Sequence, residues 1–77
     1  MTLKRDIQAM PGDIEAILRE RNLTSAYEAR PPYQRNDYLA WIARAKRTDT
    51  RAKRLGVMLD ELAAGRGYMH MRWEPSD

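Results

Sequence analysis

The chain has 77 residues, of which 43% are apolar and 32% charged, and it carries a net charge of +3 with no cysteine. This length holds one hydrophobic core and the composition is that of a folded protein, which excludes a second domain and a disordered chain. The lack of cysteine excludes disulfides and thiolate zinc sites, and the lack of a signal segment or of roughly 20 consecutive apolar residues predicts a soluble, cytoplasmic protein.

The first predicted element is a helix over about residues 11–21. Pro11 is suited to the first position of a helix, and apolar side chains recur from Ile14 to Leu18 with helical spacing. Asn22 can adopt the left-handed backbone conformation that ends such a helix.

A short second helix is predicted over about residues 25–29. Ser25 and Glu28 have the spacing of a capping box, in which each side chain binds a free backbone N–H at the start of the helix. Pro31 stops this helix, because a proline pushes the residue before it out of the helical region.

Helices three and four are predicted over about residues 32–46 and 49–64. Pro32 suits the start of helix three, Thr48 can cap helix four, and Gly65 can end it. Because the connection between them is very short, the two helices should fold back on each other as a helical hairpin. The apolar positions that should form its core are Tyr38, Leu39, Ile42, Leu55, Leu59 and Leu62.

Together these elements predict an all-α, single-domain bundle of about four helices over residues 1–77, with 1–8 and 74–77 flexible. The apolar-rich residues 68–73, which follow Gly65, are too few for another helix. They either lie across the bundle or form an extended segment.

The excess positive charge of the chain is concentrated in residues 44–54. Residues 1–43 hold six basic and six acidic side chains and residues 55–77 hold two basic and four acidic ones, whereas residues 44–54 hold six basic side chains and one acid. A focused positive patch raises the local concentration of anionic partners even when the whole protein is only mildly basic. The six cations are Arg44, Lys46, Arg47, Arg51, Lys53 and Arg54.

The sequence leaves two interpretations of this patch open. Helical spacing puts Arg51 inside the apolar arc of helix four, where its stem can pack on the core margin and its head can bridge to helix-end carbonyls or to acids such as Asp37 or Asp49. Arg54 can likewise reach Glu61. With such pairings the patch is a solvated surface; without them it is a site for an anion or an acidic partner.

A family resemblance adds to this reading. The stretch ARPPYQRNDYLAWIARAKRTDTRAKRLGVMLDELAAGRGYM at residues 29–69, together with MPGDI at 10–14, closely resembles the YdeI/OmpD-associated family, also described as bacteriocin-protection proteins. Thr48 is a departure, since members of the family often have proline there. In many members the module lies at the C-terminal end of a longer protein.

The resemblance implies a bacterial interaction module, linked to an outer-membrane porin and to tolerance of bacteriocins or cationic peptides, with no catalytic residue or cofactor. We therefore expect a non-catalytic protein-interaction module. Its six cations, with Trp41 at their margin, should bind an acidic protein partner. Any protective role should be indirect, because a positive patch repels cationic peptides.

The alternative function is non-specific nucleic-acid binding through the same residues. Two helices around a tight turn, with basic residues and threonines at the start of the second, partly imitate a helix-turn-helix that contacts mainly phosphates. The first turns of helix four lack the Asn or Gln that would read bases. Trp41 could stack on a base, although aromatic residues at helical spacing usually pack at the core.

Neither an enzyme nor a metal site is expected. His70 is the only histidine, and neither Ser25 nor Ser76 has the surrounding pattern of an activated nucleophile. With one histidine and no cysteine, a transition-metal site would need carboxylates alone around it. The sequence predicts no catalytic residue, no metal and no cofactor.

Overall fold

The computed structural model of the chain describes residues 8–75. Within this range the chain forms four helices and no β-strand, which confirms the predicted all-α fold. The helices are α1 (Gly12–Glu20), α2 (Thr24–Glu28), α3 (Pro32–Ala43) and α4 (Thr48–Ala64). The neighbouring helices α3 and α4 contact each other, as the hairpin prediction requires. The predicted flexibility of residues 1–8 and 74–77 falls mainly on positions outside the described range.

The first two helices begin and end within one residue of their predicted bounds. Asn22 ends α1 with φ 58°, the left-handed conformation expected of it. The capping box at α2 is wrong: the N-cap residue is Leu23, and no side chain caps the helix. Because Ser25 lies inside the first turn rather than before it, its hydroxyl cannot take the N-cap position.

Helix α3 ends at Ala43, three residues before its predicted end. The Arg54 side chain provides a reason, since its Nη1 donates to the backbone oxygen of Trp41 at 2.7 Å. In a continuing helix that oxygen would accept the N–H of Ala45. The Ala45 N–H instead bonds to a carbonyl only three residues back, at 3.2 Å. The α3–α4 connection is therefore residues 44–47, longer than predicted.

The start of α4 is stabilised by an acid and not by the threonine expected to cap it. Arg47 occupies the N-cap position in an extended conformation, and Thr48 is the first helical residue. The Oδ1 atom of Asp49 accepts the backbone N–H of Thr50 at 2.9 Å. A carboxylate in the first turn also interacts favourably with the positive end of the helix dipole.

The hydrophobic core draws on all four helices. Five of the six predicted hairpin core residues are buried, and Leu55 packs against them from a partly buried position. Fully burying a large apolar side chain stabilises the fold by about 1.5–3 kcal/mol. The buried apolar residues are Ile14, Leu18, Tyr27, Tyr38, Leu39, Ile42, Met58, Leu59 and Leu62.

Alanine in place of either of two glycines, one within α4 and one just after it, should change the free energy of unfolding in opposite directions. Gly65 ends the helix with φ 74°, so alanine there should lower the free energy of unfolding by about 1 kcal/mol. Gly56 lies within α4, and a Cβ added there meets nothing within 4 Å, so alanine should raise it by about 0.5–1 kcal/mol. Thermal unfolding of both variants tests this. Shifts of Tm in the same direction would contradict the assigned helix end.

Candidate functional site

The segment after α4 folds back and makes a tight turn. Tyr68 and Met69 pack against the core, so the segment lies across the bundle and is not extended. The N–H of Tyr68 donates to the oxygen of Met71 at 2.8 Å, and the N–H of Met71 donates to the oxygen of Tyr68 at 2.7 Å. Met69 and His70, at its tip, have φ 50° and 70°. Non-glycine residues in this region cost of order 1–3 kcal/mol each, so the turn needs support from its surroundings. We call residues 68–71 the tail turn.

Glu61 of α4 provides that support. Its Oε1 accepts the backbone N–H of Met69 at 2.8 Å, and its Oε2 accepts the backbone N–H of His70 at 2.9 Å. The hydroxyl of the buried Tyr38 also donates to Oε1. The same carboxylate thus holds the tail turn and satisfies a buried hydroxyl. The predicted pairing of Arg54 with Glu61 is wrong, because Arg54 binds the end of α3.

A buried arginine fixes the chain just before the tail turn. Arg30 is only 4% exposed. Its Nη1 donates to the backbone oxygen of Gly67 at 2.5 Å and to Gln34 Oε1 at 3.2 Å, and its Nη2 donates to the backbone oxygen of Glu61 at 2.9 Å. Its guanidinium also lies 4.4 Å from the ring centroid of Trp73, a cation–π contact. Arg30 therefore connects the end of α2 to the end of α4 and to the tail.

Aromatic rings complete the packing of the tail turn on α3. The ring of Tyr68 meets those of Tyr33 and Tyr38 edge to face, with centroids 6.0 and 5.5 Å apart. The Tyr68 hydroxyl donates to Asp37 Oδ2 at 2.6 Å. Edge-to-face pairs of this kind add about 0.5–1.5 kcal/mol beyond the area that they bury.

The pKa of Tyr38 is raised well above its usual value. Burial disfavours the phenolate, and the hydrogen bond to the Glu61 carboxylate disfavours it further. The unfolded chain therefore releases this proton at a lower pH than the folded chain does. The stabilisation from this group is complete below the ordinary tyrosine pKa of about 10 and is lost as the pH rises above it.

We expect Tyr38→Phe to make the free energy of unfolding fall less steeply with pH above about 10. The measurement is urea unfolding at a series of alkaline pH values, with Tyr33→Phe, at a tyrosine that is 48% exposed, as the control. Burial also raises the pKa of Tyr27, so tyrosinate absorbance of the folded protein should show more than one ring that resists ionisation, and Tyr38→Phe should remove one of them. An unchanged slope would contradict this account of the hydroxyl.

The six cations of residues 44–54, which we call the basic elbow, have different surroundings. Arg51 binds Asp13 of α1 through two hydrogen bonds of 2.9 and 3.2 Å. Arg51 thus pairs with an internal acid, as one of the two interpretations expects, but that acid is Asp13 and neither Asp37 nor Asp49. The Arg51 hydrogen bond lowers the pKa of Asp13. Arg47 instead forms the exposed ion pair with Asp49, at 3.2 Å. Exposed pairs of this kind add at most about 1 kcal/mol.

Three cations of the basic elbow lie exposed and have no counter-ion among the described residues. Arg44 ends α3, Lys46 lies in the connection, and Lys53 is on α4. Within residues 8–75, none of the three has a carboxylate at salt-bridge distance. They remain available to anions from solution.

A pocket of about 410 Å³ includes one of these cations, Lys53, in its lining. Four of its lining residues lie along one face of α4, because Lys53, Arg54 and Val57 follow Thr50 by three, four and seven positions. The side chain of Trp41 from α3 and that of His70 from the tail turn form the remaining walls. We call this the elbow pocket; its lining residues are Trp41, Thr50, Lys53, Arg54, Val57 and His70.

Arg54 and His70 both pack on Trp41. The Arg54 guanidinium lies 5.3 Å from the ring centroid of Trp41, in addition to its hydrogen bond to the Trp41 backbone. The imidazole of His70 stands at 90° to the indole, with centroids 6.3 Å apart. Trp41 is half-buried, at the margin of the core where the sequence put it.

The pocket brings together only part of the predicted site. It unites Trp41, Lys53 and Arg54, whereas Arg51 is directed to α1 and Arg47 to the first turn of α4. Sequence reasoning missed His70, whose position depends on the tail turn. The signal for the pocket in the sequence is the helical spacing of Thr50, Lys53, Arg54 and Val57, which puts them on one face of α4.

Neither a metal-binding cluster nor a membrane-spanning helix is found in the described part of the chain. No group of three or more His, Asp or Glu side chains there could hold a metal ion. None of the helices in residues 8–75 has the length and apolar character needed to cross a membrane.

The comparisons with known proteins identify a family. The family model described as bacteriocin-protection, YdeI or OmpD-associated matches residues 9–65, which is most of the chain. This confirms the resemblance seen in the sequence. Comparison with curated proteins and with solved structures gave no match.

Proposed function

Since this chain belongs to the bacteriocin-protection, YdeI or OmpD-associated family, we propose that it is a protein-interaction module that docks an acidic partner protein on its basic elbow. It acts in the cytosol and catalyses no reaction. The partner presents carboxylates to the cations that lie in and near the α3–α4 connection.

The exposed cations without internal partners carry this proposal. Arg44, Lys46 and Lys53 are exposed and have no carboxylate at salt-bridge distance within residues 8–75. Complementary charge chiefly increases association rate and selects partners, and like charges repel. The elbow therefore favours acidic surfaces and disfavours other basic ones.

The family description concerns protection from bacteriocins, and the charge of the elbow limits how this chain could contribute. A cationic peptide approaching Arg44, Lys46 and Lys53 is repelled, so direct capture of such a toxin by the elbow is unfavourable. The contribution that we propose is indirect: the module binds an acidic protein component of the response.

The test compares two variants that lose the same number of charges. In the first, Arg44, Lys46 and Lys53 become glutamine. In the control, three exposed arginines away from the elbow, Arg21, Arg66 and Arg72, become glutamine. Binding to poly-glutamate and to a short duplex and single-stranded oligonucleotide is measured at physiological ionic strength.

We expect the wild type and the control to bind poly-glutamate alike, and the elbow variant to bind it at least tenfold more weakly. Equal weakening in both variants would show that only net charge matters and would overturn the proposal. Micromolar binding of an oligonucleotide that weakens steeply with salt, with no binding of poly-glutamate, would favour nucleic-acid binding by the elbow instead.

A further inference from the structure

The elbow pocket has the chemistry of a site for one apolar side chain flanked by acids. Val57 and Trp41 supply apolar surface, and Lys53 and Arg54 supply positive charge. No carboxylate occurs among the described residues that line it. Its volume of about 410 Å³ lies in the range of small-ligand pockets and suffices for a single side chain with its flanking backbone.

Arg54 is held in place before any partner arrives. One of its N–H groups donates a hydrogen bond to the Trp41 backbone oxygen, and its guanidinium packs against the Trp41 ring. A guanidinium has five N–H donors in a planar fork, so further donors remain for a carboxylate. Because the side chain is already ordered, less entropy is lost when a ligand binds it.

Lys53 differs from Arg54 in being exposed and unrestrained. It precedes Arg54 on α4 and lines the same pocket. A flexible ammonium can follow a carboxylate over several positions, whereas the fixed guanidinium selects one orientation. The pair therefore suits two neighbouring acids better than one isolated anion.

The pocket is less suited to a nucleic acid. The Arg54 guanidinium lies over the ring of Trp41, and the rings of Trp41 and His70 meet edge to face. Both contacts limit stacking of a base on the indole. Among the described residues that line the pocket only two are cations, whereas nucleic-acid grooves follow the phosphate backbone over several nucleotides.

We infer that the elbow pocket binds a short acidic peptide segment of the partner, with one aliphatic side chain inserted between Val57 and Trp41 and neighbouring carboxylates on Lys53 and Arg54. This inference rests on the proposed function and specifies the partner's recognition element. Lys53 is then a specificity determinant. Lys46 lies outside the pocket lining and contributes only general electrostatic attraction.

Three synthetic peptides test the inference on the full chain by calorimetry at physiological ionic strength. The first is acetyl-Glu-Asp-Leu-Glu-Asp-amide, the second has alanine in place of leucine, and the third has glutamine and asparagine in place of the acids. Lys53→Glu is compared with Lys46→Glu, an identical charge reversal at an exposed residue outside the pocket. Urea unfolding checks that both variants remain folded.

We expect the leucine peptide to bind about tenfold more tightly than the alanine peptide, because an aliphatic side chain leaves water. Lys53→Glu should weaken its binding at least tenfold and Lys46→Glu less than about threefold. Val57→Thr, which puts a hydroxyl in place of a methyl group, should weaken binding of the leucine peptide but not of the alanine peptide. The uncharged peptide should not bind measurably.

The contrary outcomes separate the two proposals. If the leucine and alanine peptides bind equally and both lysine variants weaken them equally, the pocket inference is wrong and the acidic partner remains. If neither acidic peptide nor poly-glutamate binds, both proposals fail. Displacement of the leucine peptide by a single-stranded oligonucleotide at lower concentration would overturn the pocket inference in favour of a nucleic acid.

Discussion

Glu61→Ala should lower the free energy of unfolding by about 2–4 kcal/mol, a large part of the stability expected for a chain of this size. The change leaves the buried Tyr38 hydroxyl without its acceptor. It also removes the carboxylate that binds the N–H groups of Met69 and His70, whose positive φ values are unfavourable without support. Urea unfolding measures the loss. Hydrogen exchange should show that the amides of Met69 and His70 lose their protection.

The neighbouring residue supplies the control. Asp60 is exposed on α4 one position earlier, so Asp60→Ala should change the free energy of unfolding by less than about 0.5 kcal/mol. Glu61→Gln keeps one oxygen acceptor and should fall between the two. A Glu61→Ala variant that unfolds at the same urea concentration as Asp60→Ala would contradict the role given to this carboxylate.

Arg30→Ala should also destabilise the protein, by about 2–4 kcal/mol. It removes the donors to the backbone oxygens of Gly67 and Glu61 and empties the space of a side chain that is 4% exposed. It also removes the cation beside Trp73, so Trp73 should become more exposed to water. Urea unfolding gives the loss of stability, and a red shift of tryptophan emission in the folded state reports on the tail.

Two further arginine variants decide how Arg30 acts. Arg30→Lys keeps the charge but cannot reach several acceptors with a planar fork, so it should recover only part of the stability. Arg66→Ala removes an exposed arginine near the same end of α4 and should have little effect. Equal stability of Arg30→Lys and wild type would show that charge alone, and not the fork, holds the tail.

The helices were predictable because their signals are local. The φ values of Asn22 and Gly65 follow from the residue types that tolerate the left-handed conformation. The apolar period of α4 predicted the burial of Leu59 and Leu62. The end of α3 was not predictable in this way. It depends on Arg54 reaching back thirteen positions to the Trp41 oxygen.

The tail turn shows the same limit more clearly. Methionine does not favour positive φ, and although histidine is enriched there among non-glycine residues, turns of this kind usually carry Asn or Gly. The conformation of Met69 and His70 is supported by Glu61 of α4, which binds both of their N–H groups, and by Arg30, which binds Gly67 from 37 positions away in the sequence. Such contacts are known only once the helices are packed.

The site was predictable in its charges and not in its geometry. Composition identified the basic elbow, and Trp41 was placed at its margin, but the partner of Arg51 proved to be Asp13 on α1. An ion pair between residues so far apart in sequence leaves no local pattern. The pocket likewise needs His70, which only the tail turn brings beside Trp41.

The two tryptophans of the chain allow the most direct test of whether the elbow is a docking surface. Trp41 lines the elbow pocket, whereas Trp73 packs on Arg30 outside it. On titration of ¹⁵N-labelled protein with the acidic leucine peptide, the indole N–H resonance of Trp41 should shift and saturate while that of Trp73 stays in place. If both resonances shift alike, or if neither moves, the elbow is not the docking surface for such a partner.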